Sequence, residues 1–136
     1  MKTSKVSVLL PRFDKIGLVP VVVQNENNGA ILMLAYADRR ALEETLRTGL
    51  AHFYSRSRER LWKKGETSGN VMRVAGVSID CDGDAVIYRV VPAGPACHTG
   101  KESCFWRSVI GSSLDAEHGD LKTEMIEVCV GLAGVS

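Results

Sequence analysis

The residues best suited to chemistry in this chain lie between positions 80 and 104. Three aspartates alternate there with a cysteine and a glycine, and two further cysteines and a histidine follow. Carboxylate oxygens suit Mg²⁺ or a similar hard cation, whereas thiolates select Zn²⁺. The segment therefore predicts two metal sites, one held by the aspartates and the other by the cysteines.

The aspartates are Asp80, Asp82 and Asp84. In an extended backbone alternate side chains share a side, so we expect these carboxylates to project one way and Cys81 the other. A calcium loop of the EF-hand type is a competing interpretation, but the required positions for its turn glycine and its bidentate glutamate hold other residues. We therefore reject the calcium loop and predict a site for Mg²⁺ or a similar hard cation.

The three cysteines of the segment are Cys81, Cys97 and Cys104, and no two of them form a Cys-x-x-Cys pair. Three thiolates leave one coordination position open, which is typical of a catalytic zinc. Each cysteine alone could instead be a small buried residue or half of a disulfide. The three together, with the aspartates and His98 beside them, favour zinc.

A basic segment precedes this region, because residues 56–64 include five cations and one anion, with hydroxyl side chains and glycines on either side. Guanidinium groups, hydroxyls and glycine amides bind phosphate oxygens, although a solvated loop is the alternative for any charged run. Trp62 could stack on a base or pack in the core or an interface. The predicted substrate-binding residues are Ser55, Arg56, Arg58, Trp62, Lys64, Thr67 and Ser68.

The elements that must position these residues begin with two apolar runs at 18–24 and 30–36. Turn-forming residues at 25–29 separate them, which predicts a β-hairpin. Asp38 is suited to cap a helix over 39–48, and Gly49 is suited to end it. We expect Ala41, Leu42 and Leu46 to share the face of this helix that packs on the sheet.

Three more strands are predicted at 51–54, 71–79 and 85–91, the last two pairing antiparallel around a turn near Gly83. Residues 105–110 are expected to return to the sheet, and 122–132 to form a short helix in which Cys129 is a buried or neutral thiol. Residues 1–17 have little periodicity and read as a lead-in. These elements together predict an α+β fold with a largely antiparallel sheet and one clear helix.

Composition indicates an ordinary globular protein of one domain, with 136 residues, 45% hydrophobic and 24% charged. No apolar run approaches the roughly 18 residues of a membrane span, and the first residues lack a signal-peptide core. We therefore expect a cytoplasmic protein without a membrane partner, whose thiols stay reduced. The net charge of +1 excludes neither nucleic acids nor acidic small molecules.

These motifs resemble those of the phosphoribosyl-AMP cyclohydrolase family of histidine biosynthesis, in order and with close spacing from about residue 17 to residue 106. We expect a single domain over 1–136, with a motif-bearing core at 17–110, an unassigned tail at 111–136 and no room for the pyrophosphohydrolase domain of some relatives. The resemblance is carried by Phe53-Tyr54-Ser55-Arg56-Ser57-Arg58, Leu61-Trp62, Lys64-Gly65-Glu66-Thr67-Ser68-Gly69, Asp80-Cys81-Asp82-Gly83-Asp84, Cys97-His98-Thr99-Gly100 and Ser103-Cys104-Phe105.

The resemblance implies hydrolysis of the N1–C6 bond in the adenine ring of phosphoribosyl-AMP. It also implies zinc at the three cysteines, magnesium at the three aspartates, and an intertwined homodimer in which cysteines of both chains can complete one zinc site. His98 is the best candidate for a general base, because imidazole exchanges protons near neutral pH; it could instead be a fourth zinc ligand or a hydrogen-bond donor to one. Many relatives have His where this chain has Asn70, to which we assign no catalytic role.

Two other classes of protein could use similar residues. A zinc-stabilised nucleic-acid-binding module would use the basic segment and Trp62 without turnover, and its binding would depend steeply on salt. A nucleotide deaminase would also use zinc, but its His-x-Glu and Pro-Cys-x-x-Cys signature is absent from this sequence. The resemblance favours the cyclohydrolase, with no nucleic-acid partner.

Overall fold

A computed structural model describes residues 10–109 of the chain. These residues fall into two units that divide between Cys104 and Phe105. One helix and mostly antiparallel strands make up the first unit, which confirms the predicted α+β class. The elements in chain order are β1 (Val19–Asn25), β2 (Ile31–Ala37), α1 (Arg39–Thr48), β3 (His52–Ser55), β4 (Arg60–Lys63), β5 (Met72–Ile79) and β6 (Val86–Pro92).

Four strands form the main sheet in the order β2-β1-β6-β5, and β3 and β4 form a separate two-stranded sheet. β1 pairs antiparallel with β2, and β5 pairs antiparallel with β6, which confirms both predicted pairs of strands. β1 and β6 run parallel, with Val21 opposite Val86 and Asn25 opposite Val90. This parallel pairing joins the two hairpins into one sheet, and the sequence patterns did not predict it.

Local hydrogen bonds explain the turn between β1 and β2. The side-chain oxygen of Asn25 accepts a hydrogen bond from the N–H of Asn27 at 2.8 Å, and that of Asn28 accepts one from the N–H of Ala30 at 2.9 Å. Gly29 has a φ of 77°, in the left-handed region that favours glycine. The asparagine and glycine content of 25–29 therefore specifies the turn directly.

Helix α1 has the predicted bounds and the predicted caps. Asp38 accepts a hydrogen bond from the N–H of Ala41, and Gly49 ends the helix with a φ of 76°. The expectation for Leu46 is wrong, because 63% of this residue is exposed while Thr45 is buried with Ala41 and Leu42. At 100° per residue, Thr45 lies between Ala41 and Leu42 on the helix surface, whereas Leu46 lies at the edge of that face.

The hydrophobic core takes alternate side chains from β1 and β6, as the two-residue period of a strand requires. Tyr88 of β6 lies fully inside this core. Its hydroxyl donates to the backbone oxygen of His52 at 3.2 Å and lies 3.3 Å from the Thr45 hydroxyl. Burial is the main cause that raises the pKa of Tyr88 to about 12.

The opposite side of the main sheet carries apolar side chains that are open to solvent. Ile31 and Leu34 of β2 are 43% and 47% exposed. Leu34 is paired with Val22, which points away from the core because its neighbours Val21 and Val23 are buried. Exposed apolar groups that lie together on a sheet are typical of a surface that contacts another molecule.

One strand was not predicted, one predicted strand is absent and one predicted helix lies outside the described residues. Residues 60–63 form strand β4, in which Trp62 pairs across the sheet with Phe53 and their rings lie 4.9 Å apart. Residues 105–109, within the predicted strand 105–110, form no strand; Arg107 and Ser108 interrupt the apolar pattern there. The helix predicted at 122–132, with Cys129, lies outside the described residues.

No helix in the described range, 10–109, has both the length and the apolar character needed to cross a membrane.

Candidate functional site

The three aspartates lie in the turn that connects β5 to β6. Their backbone forms a turn and not the extended strand that we expected. The N–H of Gly83 donates to the Asp80 carbonyl at 3.0 Å, and the N–H of Asp84 donates to the Asp80 carboxylate at 3.0 Å. The turn nevertheless brings one carboxylate oxygen from each of Asp80, Asp82 and Asp84 within 4.8 Å of the others. All three residues are exposed, so a cation could reach them from solvent.

The carboxylates of this turn influence one another. A hydrogen bond with Asp80, followed by the negative charge of Asp80, raises the pKa of Asp84. Desolvation acts to raise the pKa of Asp80, but hydrogen bonds, chiefly from the backbone and side chain of Asp84, outweigh it and lower that pKa. Two pKa values that shift in opposite directions are expected where two carboxyl groups compete for one proton. A bound cation would relieve the repulsion between the two carboxylates.

Arg12 holds this turn from the segment before β1. Its backbone N–H donates to the Gly83 carbonyl at 2.5 Å, and its Nε donates to the Asp82 carbonyl at 3.0 Å. Residues 1–17 were predicted to be only a lead-in. Arg12 and Asp82 are 70 positions apart, so no local pattern could have indicated this contact.

Cys97 and Cys104 come together at the other end of the sheet. A hydrogen bond links their thiols, and burial, with the Cys97 charge next in importance, raises the pKa of Cys104. The charge of Lys64 acts in the opposite direction. The pair is held in place through the backbone, since the N–H of Cys104 donates to the Leu32 carbonyl at 2.7 Å and that of Cys97 donates to the Lys101 carbonyl at 3.1 Å.

Cys81 is remote from this thiol pair within one chain. Cys81 precedes β6, whereas Cys97 follows that strand. The seven residues of β6 span roughly 20 Å at about 3.3 Å per residue. Among residues 10–109, the one group of three potential metal ligands that lie close together is the aspartate group. One chain alone therefore does not assemble the predicted set of three cysteines.

A pocket of about 480 Å³ opens between β2 and the β3–β4 hairpin. All seven residues predicted to bind substrate line it. Tyr36 and Tyr54 also line the pocket and were not predicted to do so, because each belongs to an apolar strand pattern. The predicted residues that line the pocket are Ser55, Arg56, Arg58, Trp62, Lys64, Thr67 and Ser68.

The cations of the pocket are not equivalent. Arg60 forms an ion pair with Glu66 at 2.7 Å, and that hydrogen bond lowers the pKa of Glu66. Arg56 instead lies over the ring of Tyr36, with its guanidinium carbon 4.0 Å from the ring centre. Within the described part of the chain, no carboxylate forms an ion pair with Arg56 or Arg58. Among the three arginines of the pocket, these two are therefore the best placed to bind an anion.

Trp62 and Lys64 each have a contact that the sequence left open. Trp62 packs on Phe53 in addition to lining the pocket, so its structural role and its possible role in stacking on a base coexist. The Lys64 ammonium donates to the Ala96 carbonyl at 2.7 Å, directly before Cys97. His98 follows Cys97 and is exposed. The pocket and the thiol pair are thus neighbours in a single chain.

The fold and these groups together define an α+β protein with a basic pocket beside a pair of thiols, as expected of an enzyme acting on a phosphorylated small molecule. Residues 33–106 match the family model described as phosphoribosyl-AMP cyclohydrolase. The chain belongs to the phosphoribosyl-AMP cyclohydrolase family.

Similar proteins include the phosphoribosyl-AMP cyclohydrolases of Rhizorhabdus wittichii and Archaeoglobus fulgidus. The first is 58% identical over 76% of this chain and 83% of the relative, and the second is 53% identical over 76% of this chain and 95% of the relative. A histidine biosynthesis bifunctional protein of Thermus thermophilus is 61% identical over 76% of this chain. The match covers only 49% of that relative, so the chain spans about half its length.

Proposed function

We propose that this protein is a phosphoribosyl-AMP cyclohydrolase that opens the adenine ring of its substrate by hydrolysis, a step of histidine biosynthesis in the cytoplasm. The observation that carries the proposal is the pocket, because seven residues chosen for phosphate and base binding converge on one cavity beside two cysteines. Membership of the family supports the same reaction. A chance arrangement would not be expected to place all seven in one cavity.

The pocket has the groups that this substrate requires. Phosphoribosyl-AMP carries two phosphomonoester ends, and the guanidinium forks of Arg56 and Arg58 match phosphate oxygens. The hydroxyls of Ser55, Thr67 and Ser68 add neutral donors on the same lining. Trp62 offers a ring face on which the purine can stack. We assign substrate binding to these six residues.

Cys97 and Cys104 are suited to hold zinc, since two neighbouring thiols are soft donors of the kind that zinc selects. We assign the third position to Cys81 of a second copy, because Cys81 of the same chain lies across the length of β6. The exposed apolar side chains of β2, Ile31 and Leu34, support a homodimer that would cover them. When bound, zinc supplies Lewis acidity that lowers the pKa of water toward neutrality.

The aspartate turn is suited to magnesium. Three carboxylate oxygens within 4.8 Å of one another match the needs of a hard cation, and the Asp80 and Asp84 carboxyls compete for one proton in its absence. We assign Asp80, Asp82 and Asp84 as its ligands. Arg12 donates two hydrogen bonds to the carbonyls of the turn, one from its backbone N–H and one from its Nε, and these bonds keep the turn closed and hold the three side chains together.

The proposed reaction adds one water across the N1–C6 bond of the purine. The water oxygen bonds to C6, the N1–C6 bond breaks, one water proton passes to N1 and the other to the exocyclic nitrogen, and C6 becomes a carboxamide carbon. His98 is the proposed base, since it is exposed beside Cys97 and can exchange protons with solvent. Arg56 and Arg58 hold the phosphates so that the purine stays beside His98 and the thiol pair.

The test is turnover of phosphoribosyl-AMP by the purified protein, followed by the change in ultraviolet absorbance as the purine ring opens. Activity should disappear when zinc is removed and return when zinc is restored. Release of ammonia would indicate a deaminase instead. Absence of ring opening in protein loaded with zinc and magnesium would contradict the proposal, and salt-dependent binding of a polynucleotide would then support the nucleic-acid module.

A further inference from the structure

Lys64 joins the pocket to the segment that carries Cys97. It follows β4, lines the pocket, and donates through its ammonium to the Ala96 carbonyl at 2.7 Å. Ala96 is 2% exposed, Lys64 is half-buried, and the hydrogen bond between them is partly buried. The carbonyl of Ala96 belongs to the peptide unit that leads into Cys97, and the bond therefore orients the backbone from which that thiol projects.

The backbone of Lys64 is fixed as well as its side chain. Its N–H donates to the Ala51 carbonyl at 3.0 Å, and the N–H of Ala51 donates to the Met72 carbonyl at 2.9 Å. Ala51 is fully buried. The backbone of Lys64 is thus bonded to the core, and its ammonium is bonded to the segment that carries Cys97.

A second contact joins the same two segments. A Cβ at Gly94 would overlap the side-chain amide of Asn70, and a Cβ at Gly65 would overlap the backbone of Asn70 and Val71. The pocket loop, residues 64–68, therefore packs against Asn70. Asn70 in turn packs on the segment before Cys97. The N–H of Ala93 also donates to the Val71 carbonyl at 2.9 Å. Displacement of the pocket loop would displace the cysteine segment with it.

We propose that Lys64 is a positioning residue that orients Cys97 toward Cys104 and couples the substrate pocket to the thiol pair, and that Arg56 and Arg58 carry the phosphate contacts. The inference rests on the proposed zinc site. It differs from the expectation that the Lys64 ammonium binds phosphate itself, because one of its three N–H donors bonds to the Ala96 carbonyl and holds the ammonium beside the cysteine segment. A hydrogen bond to a charged donor is among the stronger ones in a protein.

The experiment uses Co²⁺ as a probe, because thiolate ligands give Co²⁺ a charge-transfer absorption that can be titrated without turnover. The Lys64→Met variant keeps the apolar stem and removes the hydrogen bond. We expect its affinity for Co²⁺ to fall about tenfold or more, as for other groups that orient a metal ligand. Its affinity for AMP, measured on metal-free protein, should change little. Arg58→Met should show the reverse pattern.

Two further variants make the result specific. Lys64→Arg retains a cationic donor and should recover part of the Co²⁺ affinity, which a general loss of stability would not allow. Lys15→Met removes an exposed lysine elsewhere and should leave both titrations unchanged. Circular dichroism of each variant shows whether it has folded, and Lys64→Arg provides the comparison if Lys64→Met does not fold.

The outcomes separate this inference from the zinc assignment. If the wild-type protein gives no charge-transfer band with Co²⁺, the zinc site is wrong and the role of Lys64 is wrong with it. If the wild type gives the band and Lys64→Met binds Co²⁺ equally well but AMP more weakly, Lys64 is a phosphate ligand and only the positioning role is overturned. A loss confined to Co²⁺ supports the inference.

Discussion

At the scale of single residues, the ring of Tyr36 restricts the side chain of Arg56 in the pocket. Arg56 is exposed, and an exposed arginine samples many rotamers. Its stacking on the ring of Tyr36, at 4.0 Å, restricts that freedom while the guanidinium edge stays free to donate. In the proposed phosphate site, the ring would therefore lower the entropic cost of binding without touching the phosphate.

Replacement of Tyr36 by leucine should raise the KM for phosphoribosyl-AMP, because the cation–π contact that holds Arg56 is lost. At about 0.5–1 kcal/mol for an exposed pair, the expected change is roughly two- to fivefold, with little change in kcat. Tyr36→Phe keeps the ring and is the matched control. Steady-state kinetics of the three proteins measure the effect, and a leucine variant with the KM of the wild type would contradict it.

The raised pKa of Asp84 leads to a second prediction at this scale. A carboxyl that holds its proton to higher pH than usual makes a cation compete with that proton. Affinity for Mg²⁺, or for Mn²⁺ as its paramagnetic substitute, should therefore weaken as the pH is lowered through the pKa of Asp84. Titration by water-proton relaxation at several pH values measures this.

The matched variant for this prediction is Asp84→Asn, which cannot take up the proton. Its affinity should be lower than that of the wild type at neutral pH and should fall less steeply as the pH is lowered, because only Asp80 and Asp82 then compete for protons. An affinity for Mn²⁺ that stays constant in the wild type as the pH falls would mean that Asp84 is not a ligand. The two proteins are compared by how steeply their affinity for Mn²⁺ falls with pH, and not by the affinity at any one pH.

At the scale of elements, the packing of α1, β3 and β6 depends on one polar group in an apolar core. The Tyr88 hydroxyl reaches the His52 carbonyl and the Thr45 hydroxyl, so three elements share one small hydrogen-bond network. Thr45 also accepts from the N–H of His52 at 2.9 Å and donates to the Ala41 carbonyl at 2.9 Å. The network sets how the helix sits against the two sheets.

This network predicts a loss of stability at alkaline pH. Tyr88 has a pKa of about 12 in the folded protein, whereas a tyrosine in the unfolded chain has a pKa of about 10. Its contribution to stability is complete below pH 10 and is lost as the pH rises from about 10 to about 12, because only the unfolded chain ionises there. The contribution is on the order of 2–3 kcal/mol.

Urea unfolding at pH 8, 10 and 11.5 measures this dependence. The Tyr88→Phe variant removes the ionisable group and should cost about 1 kcal/mol at pH 8 through the lost hydrogen bond. Its free energy of unfolding should then decline less than that of the wild type above pH 10. Equal slopes for both proteins would assign the alkaline transition to other residues.

At the scale of the whole molecule, the separation of Cys81 from Cys97 makes a second copy necessary for the proposed zinc site. Cys81→Ser and Cys97→Ser should each be inactive as separate proteins. Unfolded together and refolded as a mixture, they should regain roughly a quarter of wild-type activity. Half of the dimers would then be mixed, and one of the two sites in each mixed dimer would have a complete set of cysteines.

The control for this complementation is a mixture of Cys97→Ser with Cys104→Ser. Both changes affect the cysteines assigned to the same chain, so neither site of a mixed dimer would be complete and no activity should return. Recovery in this control, or none in the mixture with Cys81→Ser, would contradict a site shared between chains. Size-exclusion chromatography with light scattering establishes that both mixtures are dimeric.

The parts of the fold that were predictable depend on interactions between residues close in sequence. Asp38 and Gly49 fixed the bounds of α1, and the asparagines and Gly29 fixed the first hairpin, since each acts within five positions along the chain. The aspartate group was predicted for a similar reason, although the assumed extended backbone was wrong. A tight turn brings near neighbours together as effectively as a strand does.

The basic pocket was predicted in composition but not in shape. The density of cations indicated an anion site, yet it could not show that Arg60 is neutralised by Glu66 or that Arg56 rests on Tyr36. Strand β4 was missed because charge dominated the pattern, while the Phe53–Trp62 pair that stabilises it depends on a partner strand. Such cross-strand pairs become visible only once the register is known.

The sequence by itself determined the local turns and caps, and it indicated the class of chemistry and the residues proposed as ligands. The tertiary structure decided which of those ligands meet. Parallel pairing of β1 with β6, the Arg12 contact across 70 positions and the Lys64 contact across 32 positions all depend on the order of strands in the sheet. Closing a loop between residues so far apart in sequence costs conformational entropy, which the packed core as a whole offsets. No local sequence pattern therefore predicts these contacts.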